Sequence, residues 1–157
     1  MPNAAQLLRQ DHKKVEGLFH KFEQAKSAQT KRRIAETAMS ELEAHAAIEE
    51  EIFYPAVKSE VGSSMTNEAF KEHKTVKNLI QELKNSDGDG EDFETKFAEL
   101  MENVKHHVEE EEGEMLPQVE ESEEIDLKAL GEKMAGRKRE LMGNGKGRSS
   151  RSTRKKK

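Results

Sequence analysis

The chain has 157 residues, 32% hydrophobic and 38% charged, with a net charge of −5, enough for one domain with a modest core. It has no cysteine, which excludes disulfides and thiolate metal ligands, so any metal must be held by imidazole and carboxylate. The charge is uneven: from Arg137 onward there are ten basic residues and one acid, a segment of +9, leaving −14 on the rest.

Four long amphipathic patterns follow in chain order. The first runs from about Asn3, a plausible N-cap, to Lys26, with Leu8, Val15, Leu18, Phe22 and Ala25 on one stripe. After a break at Ser27–Thr30, the second runs from about Lys31 to Val61, with Ile34, Ala38, Leu42, Ile52 and Ala56 in register. Gly62-Ser-Ser64 interrupts it, and Thr66-Asn-Glu-Ala69 reads as the cap of a third helix carrying Phe70, Val76, Ile80 and Leu83. Asn85-Ser-Asp-Gly-Asp-Gly90 is a loop signal. The fourth pattern, from about Asp92 to Glu121, presents Phe93, Phe97, Leu100, Val104 and Leu116. Long helices with short connections predict an all-α fold, an up-down-up-down antiparallel four-helix bundle over residues 1–122. A short extra C-terminal helix is expected over 123–142 and a disordered basic tail over 143–157. Pro55 and Pro117 fall past the middle of the second and fourth helices, where proline should kink or end them.

One pattern occurs twice. His45-Ala-Ala-Ile-Glu49-Glu50 is followed by Pro55, and His107-Val-Glu-Glu-Glu111-Glu112 by Pro117. Each copy has an upstream histidine in matching surroundings, Asp11-His12 and Glu72-His73. Helical phasing puts His12, His45, Glu49, His73, His107 and Glu111 on the apolar stripes, hence in one bundle interior. Buried carboxylates must be neutralised, and the i, i+4 spacing sets each beside a histidine, so these six residues are candidate ligands for two metal ions. Imidazole suits iron, copper, zinc or nickel, and the carboxylates can bridge. His106 is rotated about 100° from His107 and is the rival ligand. Glu16 reads as a solvated group or one behind the ligands, His20 as a partly buried or surface histidine, and Glu50 and Glu112 as candidates for hydrogen bonds to ligand imidazoles or as surface acids.

With these residues in place, the chain resembles the hemerythrin-like family, the HHE cation-binding domains, from about Leu7 to Val119. The resemblance implies a four-helix bundle around a non-heme di-iron centre, oxo- or hydroxo-bridged, with the same six residues as ligands. Oxygen-carrying hemerythrins have a fifth histidine one turn after the third-helix ligand. Here that position is Lys77, and the carriers' last motif uses a longer spacing and an aspartate. Sensing, oxidative chemistry or iron handling therefore fits better than simple oxygen transport. The ferritin-like alternative places its carboxylate first, as Glu-x-x-His, and no inward pair of that kind is present.

The leading expectation is a di-iron protein that binds or senses oxygen or a related small diatomic such as nitric oxide, without dedicated catalysis. Enzyme-like turnover of peroxide or nitric oxide, or iron handling, is the alternative. A third reading is a nucleic-acid-associated protein with a structural metal core, the basic tail binding non-specifically through counterion release or serving only for solubility. The N-terminus lacks a secretory signal and no stretch approaches a membrane span, so no membrane partner and a cytoplasmic location are expected.

Overall fold

A computed structural model of the chain describes residues 2–86 and 91–151, with side chains through residue 143. The first helix, α1 (Ala4–Gln24), opens on a capping box: the Asn3 side chain accepts from the Gln6 N–H and the Gln6 side chain from the Asn3 N–H. α2 (Ala28–Ile48) starts earlier than its apolar stripe suggests, because the Ser27 hydroxyl caps the Thr30 N–H. It passes through a π-helical turn (Glu49–Phe53) into α3 (Tyr54–Val61). α4 spans Ser63–Lys84, and α5 (Glu91–Glu110) passes through a second π-turn (Glu111–Met115) into α6 (Leu116–Glu121). The fifth rod, α7 (Leu127–Arg151), runs beyond Met142, where the composition predicts its end. The tail expected over 143–157 lies almost wholly outside the residues with described side chains.

Both prolines leave the rods intact. A proline lacks the N–H of the next helical hydrogen bond and crowds the carbonyl one turn back. Each is preceded by one π-turn that absorbs this mismatch, with the Tyr54 N–H reaching the Glu49 carbonyl and the Leu116 N–H the Glu111 carbonyl. The cap expected at Thr66 is also corrected. Gly62, at φ 94°, turns the chain within one residue, so α4 begins at Ser63. Thr66 is then buried inside the helix, its hydroxyl donating to the Ser63 carbonyl at 3.1 Å. Phe70, expected inside, is 40% exposed, because its ring lies edge-on against the outer side of Tyr54.

α1 packs along α2 and α4 along α5, while α7 lies against α1 and α2. That close approach requires Gly131, where a Cβ would stand 2.7 Å from backbone atoms of Pro2 and Asn3. Among the described residues no helix is long and apolar enough to cross a membrane.

The core is split. One apolar cluster gathers Leu8, Ile48, Phe53, Val57, Leu116 and Met134. The other gathers Val15, Phe22, Met39, Leu83, Phe97 and Leu100. On α1, α2, α4 and α5 a histidine stands between the clusters: His12 between Leu8 and Val15, His45 between Leu42 and Ile48, His73 between Ala69 and Leu79, and His107 between Val104 and Met115. The fold therefore clamps one polar layer between two apolar plugs.

Candidate metal centre

All six sequence-predicted side chains meet in that layer, each at most 8% exposed, with Glu49 wholly buried. The Nε2 atoms point inward. His12 Nε2 lies 3.1 Å from Glu111 Oε1, His45 Nε2 3.3 Å from Glu49 Oε2, and His73 Nε2 2.9 Å from Glu49 Oε1. His107 Nε2 is 3.5 Å from Glu111 Oε2 and 3.3 Å from His73 Nε2. Two clusters of converging donor atoms result: His12, His45, Glu49 and Glu111 in one, Glu49, His73 and His107 in the other.

Behind each imidazole stands a carboxylate. The Nδ1–H groups of His12, His45, His73 and His107 donate to Glu112 (2.6 Å), Asp11 (2.9 Å), Glu50 (2.7 Å) and Glu72 (2.6 Å). In a neutral ring this favours the tautomer that turns the Nε2 lone pair to the interior. The pairing crosses the repeat: α1 is served by the second π-turn, α4 by the first. Glu50 and Glu112 thus hold ligand-facing imidazoles rather than lying idle on the surface.

Without a cation the layer is held by protons. Burial opposes charge on His45, but the Glu49 carboxylate and the bond to Asp11 more than offset it, pushing His45 up to about 10. His73 and His107 are raised against the same burial penalty, chiefly by bonds to Glu49 and Glu111 respectively. Glu49 is held well below the ordinary carboxylate range: burial would raise it, and the charge on His45 together with the imidazoles of His107 and His73 overcomes that.

Several observations test whether a metal fits. His12 Nε2, His45 Nε2, Glu49 Oε2 and Glu111 Oε1 are buried atoms that make no hydrogen bond, a costly state unless a cation completes them. The 3.3 Å between His73 Nε2 and His107 Nε2 is close to the roughly 3 Å expected of two imidazoles at right angles on one ion about 2.1 Å away. The donor set, nitrogen with carboxylate oxygen, suits a divalent transition metal.

The rival His106 has its side chain 65% exposed and faces Glu110 at 3.0 Å and Glu72 at 3.7 Å, away from the layer. Glu16 and His20 are exposed. Lys77 points outward, its Nζ 2.7 Å from Glu50.

Sequence reasoning missed three features. Asp11 and Glu72 act on His45 and His107, and their signal was the acid directly preceding the upstream histidine in both copies. Tyr54 is the third. The π-turn brings this residue, five after Glu49, back over the layer, where its single hydroxyl proton can be donated to Glu111 (2.7 Å) or to Glu49 (3.0 Å) and its oxygen lies 3.2 Å from His73 Nε2. The chain's sole tyrosine stands where the other copy has Leu116, a break in the repeat that could have marked it.

Beside the imidazoles opens a cavity of about 220 Å³, walled by Val15, Leu42, Val76, Ile80 and Val104. Glu43 and Lys77 also line it, so a mostly apolar space with two charged side chains adjoins the layer.

The family model described as Hemerythrin HHE cation binding domain matches residues 3–119. A protein named DNA nickase from Nostoc sp. is 32% identical over 110 residues, covering 70% of this chain and 31% of the relative. An uncharacterized hemerythrin-like protein of Schizosaccharomyces pombe is 27% identical over 110 residues, covering 68% of this chain and 54% of its own. The chain thus spans about a third to a half of these curated relatives. The crystal structure of a hemerythrin HHE cation binding domain-containing protein from Mycobacterium kansasii superposes with a TM-score of 0.81 at 25% identity, covering 98% of this chain and 96% of that one.

Proposed function

The chain belongs to the hemerythrin HHE cation-binding family, and from that premise we propose that its polar layer holds two iron ions and binds or senses oxygen or a related small diatomic. The observation that carries the reading is the set of four inward Nε2 atoms, each fixed from behind by a carboxylate, around two buried glutamates. His12 and His45 would hold one ion and His73 and His107 the other, with Glu49 and Glu111 shared and Tyr54 within reach of the second. Ferrous iron there would supply the electrons and vacant coordination positions that oxygen or nitric oxide requires. The chain's own part is binding and exclusion. The carboxylates behind the rings would orient the imidazoles, Glu49 and Glu111 would offset the ions' charge, and the mostly apolar cavity would admit a small ligand.

The test is anaerobic loading with ferrous iron, then exposure to oxygen while absorption is followed. New charge-transfer bands in the near-ultraviolet and visible support the reading. A stoichiometric zinc protein that takes up no iron and shows no oxygen response would sink it.

Turnover of peroxide at the same ions is a second reading, favoured by Tyr54, whose phenol places an exchangeable proton against Glu49 and Glu111. Tyr54→Phe is expected to leave two-metal binding intact within about threefold and to slow any peroxide consumption at least about tenfold, the scale of losing a positioned proton donor. An unchanged rate removes this reading. The nucleic-acid partner expected from the basic C-terminal residues draws on the similarity to a protein named DNA nickase. A salt titration of DNA binding, with and without residues beyond Met142, tests it, and identical curves would discard it.

A further inference from the structure

Each carboxylate behind an imidazole has in turn a basic side chain behind it. Glu50 is met by Lys77 at 2.7 Å, Glu112 by Arg9 at 3.9 Å, and Glu72 by His106 at 3.7 Å. All three of these basic side chains are solvated, at 52%, 35% and 65% exposed. The fourth differs. Asp11, which receives the Nδ1–H of His45, is met by Lys138 Nζ, and here both side chains are largely covered, at 9% and 20%. The same ammonium lies 3.4 Å from Glu41, a buried acid that also meets Lys14 at 2.8 Å. Lys138 comes from α7, outside the residues 3–119 that the family model matches.

Magnitude separates the four. Contacts with a solvated partner are screened by water and salt, so Lys77, Arg9 and His106 should matter little. Removing the partner of a covered carboxylate takes away the contact that fixes it, and Asp11 would be free to tilt toward solvent. That movement disturbs the direction of His45 Nε2.

We propose that Lys138 is a positioning residue for the His12–His45 half of the layer, so that α7 completes one of the two metal positions and not the other. The inference rests on the two-metal reading above. In the other half the corresponding side chain, His106, is solvent-exposed and sits on the bundle itself.

The experiment titrates the metal-free full chain anaerobically with cobalt(II), resolving the two affinities by ligand-field absorption, for the wild type, Lys138→Met, Lys138→Gln, Lys138→Arg and Lys77→Met. If the wild type takes up no cobalt, the two-metal reading fails and this inference with it. If it takes up two, Lys138→Met should weaken one position about 10–100-fold, the usual effect of disturbing the partner of a metal-bound histidine, and leave the other within about twofold. Lys138→Gln should do the same and serves if the methionine variant does not fold. Lys138→Arg should restore most of the loss, and Lys77→Met should change neither position more than about threefold. In the zinc-loaded protein the His45 Nδ1–H proton resonance should shift in the neutral variants while that of His107 stays. Equal weakening of both positions, a loss that arginine does not restore, or no change would each overturn the assignment.

Discussion

Glu49→Gln is expected to abolish the binding of both metals, not one. Glu49 belongs to both donor clusters, and its two oxygens reach His45 at 3.3 Å and His73 at 2.9 Å. It is wholly buried, so bulk solvent cannot screen the ions in place of the missing charge. An amide presents one weak oxygen donor and no negative charge to a divalent ion, and affinity at both positions should fall by more than the roughly 10–100-fold typical of residues behind the ligands. Glu50→Gln, one residue on, is the internal control. Its side chain supports His73 from behind and keeps an acceptor as glutamine, so the loss should be about tenfold and confined to one position. Equilibrium dialysis against a competing chelator measures both. Retention of either metal at near wild-type affinity in Glu49→Gln would show that the carboxylate is not shared.

The second large effect is with pH, and it runs in opposite directions with and without metal. In the metal-free protein His45 is pushed from 6.5 to about 10, so across that interval the folded state holds a proton the unfolded state has released. Stability then falls as pH rises. The contribution is complete below 6.5 and gone above about 10, and the raised His73 and His107 act in the same sense. The depressed acids act oppositely. Asp11, Glu49, Glu50 and Glu72 contribute stability that is present above their ordinary values of 3.8 to 4.5 and lost as pH falls. The metal-free melting temperature should therefore be highest between 4.5 and 6.5. Metal binding must displace the imidazolium protons, so affinity should climb with pH by about tenfold per unit for each proton released, a slope above one near pH 7, with the share of His45 ending near 10. The stability added by metal then grows with pH. Melting curves at a series of pH values, with and without metal, read both. A metal-free melting temperature that rises between pH 6.5 and 9 would contradict this account of the layer.

What was legible in the sequence was whatever repeats with a period. The rods followed from apolar spacing, and the six inward residues followed because histidine and glutamate occupied positions that should have been apolar on all four rods. Phasing also separated His107 from His106, of which the structure buries the first and exposes the second. Single-residue backbone events were not legible. Gly62 at positive φ moved the start of α4 ahead of Thr66, and one π-turn before each proline carried the helix through a residue expected to bend or end it. Tyr54 was lost to the same cause, since regular helical phasing turns a residue five after Glu49 away from the layer and only the π-turn returns it. Lys138 was out of reach for another reason. Its meaning depends on where α7 docks, which Gly131 and the N-terminus of α1 decide by close backbone approach, and no periodicity in the chain announces that contact.

The central claim is that one chain holds two metal ions in a single layer of four histidines and two glutamates. Its most direct measurement is the mass of the folded, iron-loaded protein under native conditions after free metal is removed. Two irons per chain in the wild type, and none in Glu49→Gln, is the predicted result. One iron or none in the wild type, or two retained without Glu49, would contradict it.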